Sequence, residues 1–207
     1  IEKIIQDFNF KIPKGLPPIS SLISGYFSYD IIRYIEKIPN STKNDLNIPD
    51  ARILRPRNLI VHDNVDKKIF FIVNVFKDEK IKNIKNKYNC IKNEIENMVF
   101  LSNYNSNEIL HPKNNFKNKI KSNISKRKFM NNVKKAKKYI KIGDIFQVVL
   151  SQRFEAKLTK DPIEIYKKLR QTNPSPFMYF FNFDDFQIIG ASPEILVRLR
   201  NNKITIR

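Results

Sequence analysis

Two polar side chains lie where the sequence is otherwise apolar or tightly turned. Gln147 interrupts the apolar run 145–150, and a glutamine in a buried strand must find partners, either backbone groups or a ligand. Glu194 follows the turn 190–193, where a carboxylate is suited to general acid–base chemistry or to capping a helix. The residues alone leave both interpretations open for each side chain.

A rigid turn precedes an aromatic strand nearby. Pro174 and Pro176 each fix their own φ and restrict the residue before them, so residues 173–176 form a preset turn. Phe177 and Met178 follow at once and are placed to form an apolar lip. A purely structural turn between a helix and a strand is the alternative interpretation.

Metal and thiol chemistry are not indicated. His62 and His111 lie in different elements, and neither has ligands at the spacing of a zinc site. Cys90, the single cysteine, lies in a predicted helix without a paired histidine. It therefore predicts neither a disulfide nor a thiol nucleophile, and it fits a reducing compartment.

Three helices are expected to position these groups. Apolar spacings of three and four residues predict one helix over 79–100 and another from the cap Ser125 to Gly143. The pair Asp161-Pro162 opens a third, because Asp caps a helix and Pro suits its first position.

The strands are expected to pair mostly as hairpins. A single strand is predicted over 145–154, whereas the prolines of 37–57 indicate a loop. Alternation and turn residues predict hairpins over 58–76, over 177–191 and over 195–207, the last turning at Asn201-Asn202. The fold class is therefore α+β, with mostly antiparallel sheets flanked by helices.

The 207 residues suit one large domain or two small ones. The aperiodic, Asn- and Lys-rich stretch 106–124 is predicted to link a first domain, 1–105, to a second, 125–207. The chain does not begin with Met and its last strand runs to its final residue, so an internal fragment is expected. Neither a membrane-spanning segment nor a signal peptide is indicated.

The chain is strongly basic, with 39 Lys and Arg against 20 Asp and Glu. Its 32 Ile and 25 Asn beside 4 Gly indicate a drift towards AT-rich codons, which raises the charge without selecting a partner. The charge is nevertheless concentrated, because residues 111–143 hold 12 Lys and Arg and no acidic residue. A basic nucleic-acid-binding module using 113–141 is therefore the alternative from a different functional class.

The bias towards Ile, Asn and Lys nearly vanishes over 143–198. Three segments there stand out, GDIFQVVLSQRF (143–154), NPSPFMYFF (173–181) and GASPEILVRL (190–199), together with the earlier GYFSYDIIRYIE (25–36). They closely resemble the large subunit, component I, of anthranilate synthase, among the chorismate-utilising enzymes. The resemblance covers essentially the whole chain but less than half of the family's full length.

The resemblance implies a cytoplasmic enzyme that performs the first step of tryptophan biosynthesis. Chorismate and ammonia give anthranilate and pyruvate, with Mg²⁺ bound at the substrate carboxylate. A glutamine amidotransferase subunit, component II, supplies the ammonia within a heterotetramer, and tryptophan is the feedback inhibitor. No nucleic-acid or membrane partner is expected. The metal ligands are expected beyond Arg207, so the fragment alone should be inactive.

The resemblance also assigns the site residues. Gln147 falls where related water-adding enzymes carry a lysine base, so it favours ammonia as the nucleophile. Glu194 matches an active-site glutamate. Pro176, Phe177 and Met178 match the tryptophan-binding turn, with Phe in place of the family's Tyr. The nearest alternative is aminodeoxychorismate synthase of the para-aminobenzoate branch, which shares the strand and an Asn-Pro-x-Pro turn.

Overall fold

The computed structural model describes residues 11–76, 83–103 and 119–206, together with Gln6 and Glu79. The chain divides into two compact units, Ile1–Leu110 and His111–Arg207. Helices and antiparallel strand pairs make up both units, so the predicted α+β class is confirmed. Residues 106–118, which make up most of the predicted linker 106–124, lie outside the described residues.

Two strand pairs and one helix form the first unit. Strand β1 (Ser24–Phe27) pairs with β2 (Ala51–Leu54), and β3 (Asn58–Asp63) forms a hairpin with β4 (Lys68–Val73). Helix α1 (Ile84–Ser102) packs against β4. Short 3₁₀ turns span Pro18–Ser21 and Tyr29–Tyr34. Its buried apolar side chains belong to the hairpin and the helix, namely Leu59, Ile72 and Met98.

The hairpin prediction over 58–76 is confirmed, but two details in this unit were wrong. Strand β2 lies inside the predicted loop 37–57, because its partner β1 is distant in sequence and the flanking prolines masked a short strand. Helix α1 begins at Ile84 rather than at 79. The Asn83 side chain accepts a hydrogen bond from the Asn86 amide and caps the helix there.

The second unit begins with a short strand and a basic helix. Strand β5 (Lys121–Ser122) pairs with β6 (Phe154–Glu155), and helix α2 (Lys126–Ile142) lies between them in sequence. The Ser125 hydroxyl caps α2 by accepting from the Lys128 amide at 3.3 Å, and Gly143 ends it at φ 87°. Both predicted helix boundaries are thus confirmed.

A helix and two hairpins complete this unit. Helix α3 (Pro162–Thr172) packs against the hairpin of β7 (Phe177–Phe183) and β8 (Phe186–Ser192). Strands β9 (Val197–Arg200) and β10 (Lys203–Ile206) form the last hairpin. Its turn residues Asn201 and Asn202 both adopt positive φ, as the two-residue turn requires. The predicted helix and both hairpins are confirmed.

The predicted strand over 145–154 is wrong for most of its length. Only Phe154 and Glu155 are paired, and residues 147–153 carry no regular structure. Phe146 is 93% exposed and Val149 83% exposed, so the apolar pattern is present without a partner among the described residues. A strand forms only where another strand satisfies its backbone groups.

No helix in the described part of the chain is long and apolar enough to cross a bilayer.

Candidate functional site

One end of the β7–β8 hairpin brings the two rigid turns of the sequence side by side. Phe177, the first residue of β7, lies opposite Ser192, the last residue of β8. The Ser175 hydroxyl donates a hydrogen bond to the Ser192 carbonyl and so fastens the proline turn to β8. The Ser192 hydroxyl in turn donates to the Glu194 carbonyl at 3.0 Å. Glu194 follows Ser192 by two residues, so the strand register brings its backbone near the start of β7 although the two are distant in sequence. We call this group of residues, 173–178 and 192–194, the hairpin end.

Helix α3 holds the hairpin end from one side. The Asp161 carboxylate accepts from the Ile163 amide at 2.9 Å, and the Asn173 amide closes the last turn on the Leu169 carbonyl at 2.8 Å. The proline turn therefore starts where the helix stops. On the helix, the Tyr166 ring lies 6.1 Å from the Phe180 ring of β7, which links α3 to the strand.

An aromatic row runs along β7 from the hairpin end. The Tyr179 ring lies directly over Gly190, its partner across the hairpin, so that a Cβ atom at position 190 would overlap the ring. Tyr179 and Phe181 have centroids 5.7 Å apart, and Phe181 and Phe183 have centroids 5.5 Å apart. Phe183 is only 5% exposed. The row thus runs from a buried end to a partly exposed end beside Phe177.

The apolar lip predicted from the sequence is accessible. Phe177 is 45% exposed, Pro176 is exposed and Met178 is half-buried. The Glu194 side chain is exposed as well. Apolar side chains on a supported backbone, with one carboxylate on the turn that follows the paired strand, are suited to binding a flat apolar group that also carries charge.

Gln147 is not joined to the hairpin end by any described hydrogen bond or ion pair. Its side chain is exposed, and within the described ranges its amide makes no hydrogen bond. The sequence predicted that this amide needs a partner in a buried strand, and the structure shows it in an extended, unpaired segment instead. The strand register thus brings the backbone of Glu194 near Phe177, whereas no hydrogen bond or ion pair among the described residues links Gln147 to either.

The magnesium ion implied by the resemblance has no set of ligands here. Across 11–76, 83–103 and 119–206, no three His, Cys, Asp or Glu side chains come together as they would around a cation. The residues present therefore do not fit a complete Mg²⁺ site, and we assign no chemical step to the ion.

A charged cluster in the first unit was not predicted from the sequence. Arg57 donates to both oxygens of Glu94 at 3.1 Å, and it also contacts Glu79, which binds Lys87 as well. The Arg57 and Lys87 hydrogen bonds lower the pKa of Glu79 to about 2, and the hydrogen bond to Glu94 raises the pKa of Arg57. This cluster fastens α1 to the start of the β3–β4 hairpin, and it has the pattern of a structural anchor.

Comparison with known proteins gives one consistent family. Anthranilate synthase component 1 of Acetivibrio thermocellus is 40% identical over 199 residues, covering 90% of this chain and 38% of that protein. The component 1 protein of Aquifex aeolicus is 35% identical, covering all of this chain and 42% of its own length. The chain spans about two fifths of these relatives.

The solved structures agree with the sequences. The crystal structure of anthranilate synthase component I from Streptococcus pneumoniae matches 98% of this chain with a TM-score of 0.81 and 28% identity, and the match covers 45% of that protein. The family model described as chorismate binding enzyme matches residues 2–207. Because that match takes in nearly every residue, the chain belongs to the chorismate-binding enzyme family.

Proposed function

We propose that the full-length protein is the large subunit of an anthranilate synthase, converting chorismate and ammonia to anthranilate, pyruvate and water. The observation that carries the proposal is the identity of 35–40% to anthranilate synthase component 1 proteins along nearly the whole chain. In this reaction a C–N bond forms on the ring, the ring hydroxyl leaves as water, and the enolpyruvyl group is then eliminated as pyruvate.

Gln147 is proposed to favour ammonia over water as the nucleophile. A water molecule needs a base to become nucleophilic, whereas neutral ammonia already carries a reactive lone pair. A glutamine amide has no basic nitrogen and cannot serve as that base. Its amide can instead donate and accept hydrogen bonds, which suits holding an uncharged nucleophile. Within the described residues the Gln147 side chain is exposed, so its amide is accessible to a ligand.

Glu194 is proposed to assist departure of the ring hydroxyl. A carboxyl group within reach of that oxygen can protonate it as the C–O bond breaks. The backbone of Glu194 is fixed by the Ser192 hydroxyl, which restricts where the side chain can reach. Rigid support of this kind is what a positioned acid needs.

The lip formed by Pro176, Phe177 and Met178 is proposed to bind tryptophan as a feedback inhibitor. An indole ring packs well on a Pro-Phe-Met surface, because Phe keeps the ring face and loses only the hydroxyl of tyrosine. The lip is held by the hydrogen bond from Ser175 to Ser192, which belongs to the same turn as Glu194. The backbone that carries the lip is therefore joined, through Ser192, to the turn that carries a proposed active-site group.

The proposed partners follow from the same assignment. Ammonia would come from a glutamine amidotransferase subunit, component II, joined in a heterotetramer. Mg²⁺ is proposed to bind through residues of the full-length protein outside this chain.

The test uses the full-length protein with chorismate, ammonium and Mg²⁺. We expect fluorescent anthranilate and one equivalent of pyruvate, detected separately. Accumulation of aminodeoxychorismate without pyruvate would identify the para-aminobenzoate branch instead. A hydroxylated isomer of chorismate as the sole product would overturn the role of Gln147 and the proposed function together.

A further inference from the structure

We propose that the exposed face of α2 is a docking surface for the phosphate backbone of double-stranded nucleic acid, independent of the proposed enzymatic activity. Eight of the 17 residues of α2 are Lys or Arg and none is acidic. All eight are exposed, and none forms an ion pair with a carboxylate of the described residues.

The charge is arranged on one side of the helix. The apolar residues Phe129, Val133 and Ala136 recur at spacings of four and three, and they are buried or half-buried. On the opposite side, separations of seven, four and three residues set four cations in one row along about 21 Å of helix axis, at 1.5 Å per residue. These four cations, which we call the cationic row, are Arg127, Lys134, Lys138 and Lys141.

Codon drift does not account for this arrangement. Helix α1 belongs to the same chain, has a similar length and carries three lysines, but it also carries Glu94 and Glu96. Lys92 pairs with Glu96 there, one turn away. The shared bias that enriches lysine has therefore not removed carboxylates from α1, whereas 119–143 holds ten Lys and Arg and no acid.

The positive charges on this face destabilise α2 when no anion is bound. Like charges one helical turn apart repel each other, as at Lys134–Lys138 and Lys138–Lys141. Cations at Lys126 to Lys128 also oppose the positive end of the helix dipole. A polyanion relieves both effects. An acidic protein is a poorer match, because lysine is depleted at protein interfaces and enriched at phosphate contacts.

The face lacks a series of exposed aromatic rings, and this favours a duplex over a single strand. Binding of single strands depends on aromatic rings that stack on bases. The only aromatic residues of α2 are Phe129, which is half-buried, and Tyr139, a single exposed ring with the Lys135 Nζ 5.7 Å from its centroid. One exposed ring does not form a series on which successive bases could stack. The face therefore offers charge to a duplex backbone and nothing that reads sequence, and RNA and DNA duplexes share that chemistry.

The test is a salt titration of the full-length protein on a 30-base-pair duplex, as RNA and as DNA. We compare the wild type with a variant in which the cationic row is changed to glutamine, R127Q/K134Q/K138Q/K141Q. A matched control, K160Q/K168Q/R198Q/K203Q, removes the same charge from exposed positions elsewhere in the second unit. Circular dichroism checks that both variants fold, and both should keep the anthranilate-forming activity if the proposed function holds.

The expected result is a log–log salt slope that is shallower by about 3.6 for the cationic-row variant on DNA, at about 0.9 per phosphate contact. In the wild type, four phosphate contacts account for about a 150-fold loss of affinity between 50 and 200 mM salt. The cationic-row variant should lack this part of the salt dependence. RNA and DNA binding should fall together. An equal effect of the control variant would show that net charge alone is responsible and would overturn the proposal. Equal competition by poly-L-glutamate, or stronger binding to a single strand, would also overturn it.

Discussion

Placing a methyl group at position 190 should loosen the β7–β8 hairpin through one identifiable contact. Gly190 lies opposite Tyr179, and a Cβ atom added there would overlap the phenol ring. The ring must therefore move in Gly190→Ala, and overpacking of a core costs about 1–3 kcal/mol. Because the overlap is with the outer end of a ring that is 39% exposed, the lower value of about 1 kcal/mol applies. That value corresponds to roughly a 5-fold rise in the population of the opened hairpin.

Native-state hydrogen exchange of the full-length protein measures this opening directly. Amides of 177–192 should exchange roughly 5-fold faster in Gly190→Ala, if exchange occurs by local opening of the hairpin. The decisive comparison repeats the substitution in a Tyr179→Ala background. There the ring is gone, so the added methyl should cost less than about 0.5 kcal/mol. A cost of the same size in both backgrounds would show that the Tyr179 contact is not its cause.

Three further substitutions test the proposed roles and the charged cluster. Gln147→Lys should lower anthranilate formation and allow some addition of water, and unchanged amination kinetics would remove the assigned role. Met178→Thr should raise the tryptophan concentration that halves activity, since it removes apolar surface from the lip, and the absence of a shift would contradict the regulatory assignment. Glu79→Gln should flatten the loss of stability on acidification. The pKa of Glu79 is about 2 in the folded protein against an ordinary 4.5. Its contribution is therefore complete above pH 4.5 and disappears as pH falls towards 2. Thermal unfolding between pH 5 and pH 3 measures the difference, and parallel curves for the two proteins would refute this interpretation.

Prediction from the sequence succeeded where residues within a short segment determine its local structure. Ser125 and Gly143 mark both ends of α2, and Asn201-Asn202 supplies the two positive φ values of the last turn. Each of these signals acts within about four residues, so the local sequence is sufficient to find it.

Prediction from the sequence failed where a segment's structure depends on residues that are distant in the chain. Strand β2 exists because β1, more than 20 residues earlier, offers Gly25 opposite Ile53, with no room for a Cβ atom beside the Arg52 carbonyl. The stretch 145–153 has the apolar pattern of a strand, but no described strand pairs with it. An apolar pattern shows that a segment can form a strand, but the strand forms only where a partner strand is available.

In the candidate site, too, local features were predictable and contacts between distant residues were not. The turn 173–176 and Glu194 were found from local features, but their neighbourhood follows from the register that sets Phe177 against Ser192. Tyr179 was missed altogether. Its importance comes from facing Gly190, and a glycine beneath an aromatic ring becomes visible only once the two strands are aligned. An aromatic strand facing a second strand that contains glycine was the available signal.

The two proposed sites therefore differ in how well their backbones are supported by hydrogen bonds and packing. The hairpin end is fixed by two serine hydroxyls, by α3 and by the aromatic row, so a ligand there meets a surface that needs no ordering. The segment around Gln147 has exposed apolar side chains and pairs with no strand among the described residues. If the full-length protein supplies a neighbouring strand, that pairing would satisfy the backbone groups of the segment and set the position of the Gln147 amide. The proposed tryptophan site therefore has its backbone support within this chain, whereas the proposed role of Gln147 depends on a contact from the rest of the full-length protein.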